Sequence, residues 1–167
     1  MSAPVYNVLF ICTHNSARSI IAEALLNQLG GGKFRAYSAG SRPASHVHPQ
    51  ALALLQRHKI ATEGLHSKNW DTFAQPDAPQ MDFVLTVCDQ AAGEVCPFWP
   101  GQPLSAHWGI QDPSATINHS PENIDKAFSE VFRILHRRIS LFLSLPLPKL
   151  GQLSLQQELN HIGHTSD

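Results

Sequence analysis

The sequence predicts an α/β fold with a parallel sheet, and three observations carry that expectation. Short apolar runs rich in β-branched and aromatic residues alternate with longer segments whose apolar residues recur at helical spacing. The runs are almost free of charge, as strands buried on both faces are. The chain has 167 residues, 43% apolar and 15% charged, the size of one ordinary domain and enough to bury a core.

Residues 5–12 (VYNVLFIC) form the first expected strand. Small polar residues follow, then a helix over 19–29 with Ala22, Leu25, Leu26 and Leu29 on one face, stopped by Gly30, Gly31 and Gly32. Residues 34–38 are the second strand, ending at Gly40. A second helix spans 48–59, with Pro49 in its first turn and Leu52, Leu55 and Lys59 on one side. Residues 68–73 suggest a short helical turn, and 83–88 (FVLTVC) a third buried strand. A loop with Pro97, Pro100 and Pro103 leads to a short fourth strand over 106–110, then Gln111, Asp112 and Pro113. Ser120 and Pro121 open a long helix over 122–143, whose apolar face is Ile124, Phe128, Val131, Leu135, Ile139 and Phe142. Pro146, Pro148 and Gly151 then break the pattern, with weakly helical character over 153–162. The expected organisation is one domain over 1–145 and a tail over 146–167, a loosely docked helix or a mobile end.

Charge and targeting signals exclude several classes. The net charge is -1 with ten histidines neutral, so no field draws the chain to nucleic acid or an anionic membrane. Those histidines raise the charge between about pH 7 and pH 5.5. The start lacks a signal-peptide pattern, and the apolar run over 8–12 is far short of the ~20 residues that span a bilayer. A cytoplasmic location is the default expectation. The three cysteines, Cys12, Cys88 and Cys96, are an odd count without a secretory signal. That argues against a structural disulfide framework and leaves buried, metal-binding, or redox and catalytic thiols.

In open parallel sheets, sites lie outside the carboxyl ends of the strands. Cys12 ends the first expected strand, Cys88 ends the third, and Asp112 follows the fourth, so all three are expected at one edge. The segment Cys12, Thr13, His14, Asn15, Ser16, Ala17, Arg18, Ser19 lies between a strand and a helix. N–H groups at a helix start, with the helix dipole behind them, make an anion site, and small residues let the loop curl into a nest. Arg18 adds a two-pronged donor. The same field lowers a thiol pKa from about 8.5, so Cys12 is expected as a thiolate, with a hydroxyl bond from Ser19. With no glycine between Cys12 and Arg18, Asn15 is the residue best able to take φ > 0.

The segments CTHNSARSIIAEALLN, VLTVCDQAAGEVC and HWGIQDPSA together resemble the arsenate reductases built on the low-molecular-weight tyrosine phosphatase fold, from about Val8 to Leu145. The resemblance implies a three-layer α/β/α arrangement with a four-stranded, doubly wound parallel sheet. It implies that Cys12 attacks arsenate held by Arg18 and the amides of residues 13–19, and that Asp112 protonates the leaving oxygen. It further implies that Cys88 attacks Cys12, releasing arsenite, and that Cys96 then attacks Cys88. The resulting disulfide passes to thioredoxin or to glutaredoxin and glutathione. No protein metal ligand set is expected, although the family suggests a monovalent cation near Asn15, Glu23, Ser38 and Asp71. A monomer is expected.

Rival readings come from the same residues. A tyrosine phosphatase would use Cys12, Arg18 and Asp112, but Ile20 stands where a proline is usual after Arg-Ser, and Ser114 where an aromatic is usual after Asp-Pro. A binding module would hold the oxyanion without turnover. Zinc on Cys88, Cys96 and His107 would have three ligands at spacings unlike structural sites. Taken singly, Cys88 would be a core thiol, Asp112 a turn residue and His14 a solvated side chain. Trp108 is expected to pack, with a position beside Asp112 that would let it wall the site.

Overall fold

The computed structural model describes residues 5–88, 99, 103–113 and 120–165. Its sheet has four parallel strands in the order β2-β1-β3-β4: β1 Tyr6–Ile11, β2 Phe34–Ala39, β3 Phe83–Thr86 and β4 Leu104–His107. The helices are α1 Arg18–Leu29, α2 Pro49–Arg57, α3 Pro121–Leu143 and α4 Gln152–Ile162, with 3-10 turns at Trp70–Ala74 and Leu147–Lys149. The α/β class and the four parallel strands are as the sequence predicts. β1 sits inside the sheet, which is why Val8, Leu9, Phe10 and Ile11 all have no exposure and show no alternation.

Both faces of the sheet are covered. Phe34 on β2, Phe83 on β3 and Trp108 just past β4 meet the ring of Phe142 on α3 at 5.2, 5.2 and 6.1 Å. Tyr37, an odd number of residues from Phe34, points to the opposite face and meets Phe73 of the 3-10 turn at 5.4 Å. Trp108 is fully buried among Phe10 and Phe142, so it is a core residue and walls nothing.

Three helical details depart from expectation for physical reasons. α1 is buried over most of its circumference, including Ile20 and Ile21, while Leu29 is 38% exposed. A helix enclosed this fully has no clean apolar stripe to read. In α2 the buried face is Ala51, Leu54 and Leu55, not Leu52, Leu55 and Lys59. The helix ends at Arg57 because Lys59 turns left-handed, at φ 59°. The fourth strand lies at Leu104–His107 rather than 106–110. Residues 108–110 still bond to the end of β3 (Trp108 N–H to Thr86 O, 2.6 Å; Ile110 N–H to Val87 O, 3.0 Å) but leave the ladder.

The tail over 146–167 contains α4, which packs against β4 and α3 with Leu155, Leu159 and Ile162 buried. No described helix is long and apolar enough to cross a membrane.

Candidate active site

β1 delivers Cys12 to the carboxyl edge of the sheet, and residues 13–17 curl from there into α1. The curl is held from outside. Thr13, His14 and Ser16 carbonyls accept from the N–H groups of Arg42, Ala44 and His48, each at 2.9 Å, and the Asn15 carbonyl accepts from Ser67 Oγ at 2.7 Å. Four successive carbonyls thus point away from the loop centre, which turns the N–H groups inward. Among the described residues, nothing accepts from the N–H groups of His14 through Arg18. Asn15 takes φ 46°, the left-handed step expected of it. Its Nδ2 donates to Ser19 Oγ at 2.7 Å, and its Oδ1 accepts from the Lys68 N–H at 2.9 Å. Ser19 therefore serves as an acceptor there and keeps its own proton to donate. His14 is exposed and places Nδ1 3.1 Å from the Arg42 carbonyl.

Cys12 and Cys88 are both buried thiols, at 3% and 1% exposure. The two side chains lie close together at the foot of the loop. Cys88 Sγ also accepts the Thr13 N–H at 3.2 Å and lies 3.6 Å from Thr13 Oγ1. This pairing corrects one expectation. The Cys12 pKa is pushed up rather than down, first by the hydrogen bond to Cys88 and then by burial. Arg18 and the loop amide of Thr13 pull the other way but do not prevail. The reading from the helix start alone omitted the second thiol.

Arg18 is 8% exposed at the first position of α1. Its Nη1 donates to the Ile110 carbonyl at 2.9 Å, and its Nη2 stands 3.8 Å from Asp112 Oδ2. The guanidinium thus reaches from the end of the loop to the strand-end segment that carries Asp112. Asp112 itself is partly exposed, with 39% of its side chain open. The structure therefore brings Cys12, Arg18, Cys88 and Asp112 to one edge; Cys96 and Ser114 lie outside the described residues.

The residues suggested for a monovalent cation do not fit one. Ser38 Oγ donates to Glu23 Oε1 at 2.5 Å, and the Lys68 ammonium stands 3.8 Å from the same oxygen. Lys68 Nζ also donates to the His66 carbonyl at 2.7 Å. Asp71 is exposed, with its backbone tied to Asn69 and Gln75. A tethered cation thus already faces Glu23. Burial raises the Glu23 pKa, and Lys68 opposes the rise. Among the described residues, no group of three or more His, Cys, Asp or Glu is arranged to hold a metal ion.

Sequence reasoning missed three participants. Lys68 was read only as the start of a short helical turn. Ile110 acts through its carbonyl, which no side-chain pattern reveals. Gly40 was read only as a strand end, yet a Cβ there would lie 2.5 Å from the carbonyl oxygens of both Cys12 and Thr13. The loop's outer wall requires a glycine at that point.

Comparison with known proteins follows the same residues. Residues 7–157 match the low molecular weight phosphotyrosine protein phosphatase family. An arsenate reductase of Halalkalibacterium halodurans is 33% identical over 135 residues, covering 81% of this chain and 93% of that protein. A glutaredoxin arsenate reductase of Synechocystis is 33% identical over 106 residues, covering 64% of this chain and 77% of that one. Among solved structures, a thioredoxin-dependent arsenate reductase of Corynebacterium glutamicum superposes with a TM-score of 0.55 at 31% identity, over 85% of this chain and 65% of that longer one. An arsenate reductase solved in an oxidised state gives a TM-score of 0.63 at 28% identity, over 84% of this chain and all (100%) of that one.

Proposed function

The chain belongs to the low molecular weight phosphotyrosine protein phosphatase family and groups with its arsenate reductases, and from that premise we propose that it reduces arsenate to arsenite by a relay of thiols. One observation carries the reading: Cys88 lies against Cys12 beneath the oxyanion loop. A phosphatase needs a single sulfur there, whereas a reductase needs a second thiol within reach of the first.

The inward N–H groups and Arg18 hold the oxygens of arsenate. The bound dianion takes the proton that Cys12 otherwise retains, since the anion is a base placed beside the thiol. The Cys12 thiolate attacks arsenic, and the departing oxygen leaves as water with a proton from Asp112. Deprotonated Cys88 then attacks the Cys12 sulfur. The S–As bond breaks with its electron pair remaining on arsenic, so arsenic(V) becomes arsenic(III) and the two thiols become a disulfide. Cys96 attacks Cys88 in turn and frees Cys12, and an external dithiol, thioredoxin or the glutaredoxin and glutathione system, reduces the Cys88–Cys96 disulfide. Lys68 places a positive charge beside Glu23, 3.8 Å from its carboxylate.

Arsenate-dependent NADPH oxidation, run in parallel with thioredoxin and thioredoxin reductase and with glutaredoxin and glutathione, tests the reading and identifies the reductant. Cys12→Ser should abolish both arsenate reduction and aryl phosphate hydrolysis. Cys88→Ser should lose reduction and keep hydrolysis of a small aryl phosphate. Loss of both activities in a folded Cys88→Ser protein would contradict the relay. Hydrolysis without reduction in the unaltered protein would make it a phosphatase.

A further inference from the structure

Arg138 lies on α3, 5% exposed, and all its described partners are carbonyl oxygens. Nη1 donates to Trp108 O at 2.9 Å and to Gly109 O at 3.3 Å, and Nε donates to Thr165 O at 2.8 Å. A buried guanidinium without a carboxylate partner is costly, and burial pulls its pKa down. An alkyl side chain would fill the same volume without that cost. What the charge supplies is a three-way clamp between α3, the chain end and residues 108–109.

The clamped segment leads directly into the residues that contact Arg18. Ile110, next in line, accepts from Arg18 at 2.9 Å, and Asp112 two residues on stands 3.8 Å from it. α4 grips the same segment by separate means. Trp108 Nε1 donates to Leu159 O at 3.0 Å, and Gly163 abuts it so closely that a Cβ would lie 2.5 Å from His107 O and 2.9 Å from Trp108 Cδ1. The family match ends at residue 157, inside α4, so Leu159, Gly163 and Thr165 lie beyond it.

We propose that Arg138 and α4 form a strut that sets the height of residues 108–112 over the oxyanion loop, making Arg138 a positioning residue for Arg18 and Asp112. The C-terminal segment is thereby part of the active-site scaffold. Its effect reaches the anion through one route, from Thr165 and Leu159 to Trp108 and Gly109, then Ile110 and Arg18. The inference rests on the loop being the anion site proposed above.

The test uses inorganic phosphate and p-nitrophenyl phosphate, which need the loop, Arg18 and Asp112 but not the disulfide relay. Arg138→Lys keeps a charge but cannot span three carbonyls. Gly163→Ala pushes on residues 107–108 from outside the site. Each should weaken phosphate binding severalfold, lower kcat roughly tenfold, and displace the pH–kcat profile. Gln156→Ala removes a bond from the middle of α4 to the Ser105 carbonyl, 2.7 Å long and about two turns before Gly163. It should lower Tm while leaving phosphate affinity and the pH profile unchanged. Phosphate affinity and pH profile at wild-type values in folded Arg138→Lys and Gly163→Ala proteins would overturn the strut, and Gly163→Ala alone decides if the arginine variant does not fold. A wild-type protein that neither binds phosphate nor hydrolyses the ester would remove the parent reading, and the strut with it.

Discussion

At the scale of single residues, the protonation of Cys12 is set by its neighbour more than by the loop. Cys88 and burial hold the proton on, while Arg18 and the loop work to take it off. Removing Cys88 deletes the larger opposing influence, so the Cys12 pKa should fall. In Cys88→Ala, the pH at which iodoacetamide labels Cys12 at half its maximal rate should move to lower values than in the unaltered protein. An unchanged or higher midpoint would mean that burial alone holds the proton. The shared placement of Cys12 and Arg18 was legible because both lie within one local segment. The proton balance was not, because it depends on Cys88, which is remote from Cys12 in the sequence and reaches it only in the folded chain.

At the scale of elements, α2 starts on a histidine. His48 Nδ1 accepts the Gln50 N–H at 3.1 Å and so caps the helix, a task open only to the neutral ring. Burial lowers the His48 pKa below its ordinary 6.5, and the nearby Asp112 opposes that shift. The folded state therefore holds this proton less readily than the unfolded chain does. The cap contributes in full above about pH 6.5, and its contribution is lost as the pH falls through the lowered folded-state value. His48→Asn keeps a capping side chain without a titrating ring. Between pH 7 and pH 5, the Tm of the unaltered protein should fall by about 2–4 °C more than that of the variant. The sequence placed this helix from Pro49 and its leucines but put Lys59 on its inner side. A periodic pattern continues on paper where the backbone has already turned left-handed.

At the scale of the whole molecule, the order β2-β1-β3-β4 places Cys12, Cys88 and Asp112 at one edge. That much followed from strand alternation and the rule for parallel sheets. The seating of α4 did not follow, because its signal is three buried residues, Leu155, Leu159 and Ile162, in a polar stretch. What fixes it is the covering of β4 and the bond from Trp108, a tertiary matter. Since Trp108 also belongs to the core around Phe142, α4 should unfold with the body rather than before it. Far-UV circular dichroism and tryptophan fluorescence should then report one coincident melting transition. A chain ending at Leu150 should melt about 10 °C lower, from the loss of those three buried side chains. An early, separate helical transition in the full chain would show that α4 is only an appendage.

Gly40 carries a consequence for how this protein can change over evolutionary time. A side chain that collides with another side chain can be accommodated by a second substitution that trims the neighbour. At position 40 the colliding atoms would be the main-chain oxygens of Cys12 and Thr13, which every amino acid possesses. No compensating mutation can remove them. Descent with the catalytic loop in this register is therefore confined to sequences with glycine at this position, and a lineage that loses it must rebuild the loop or abandon the chemistry.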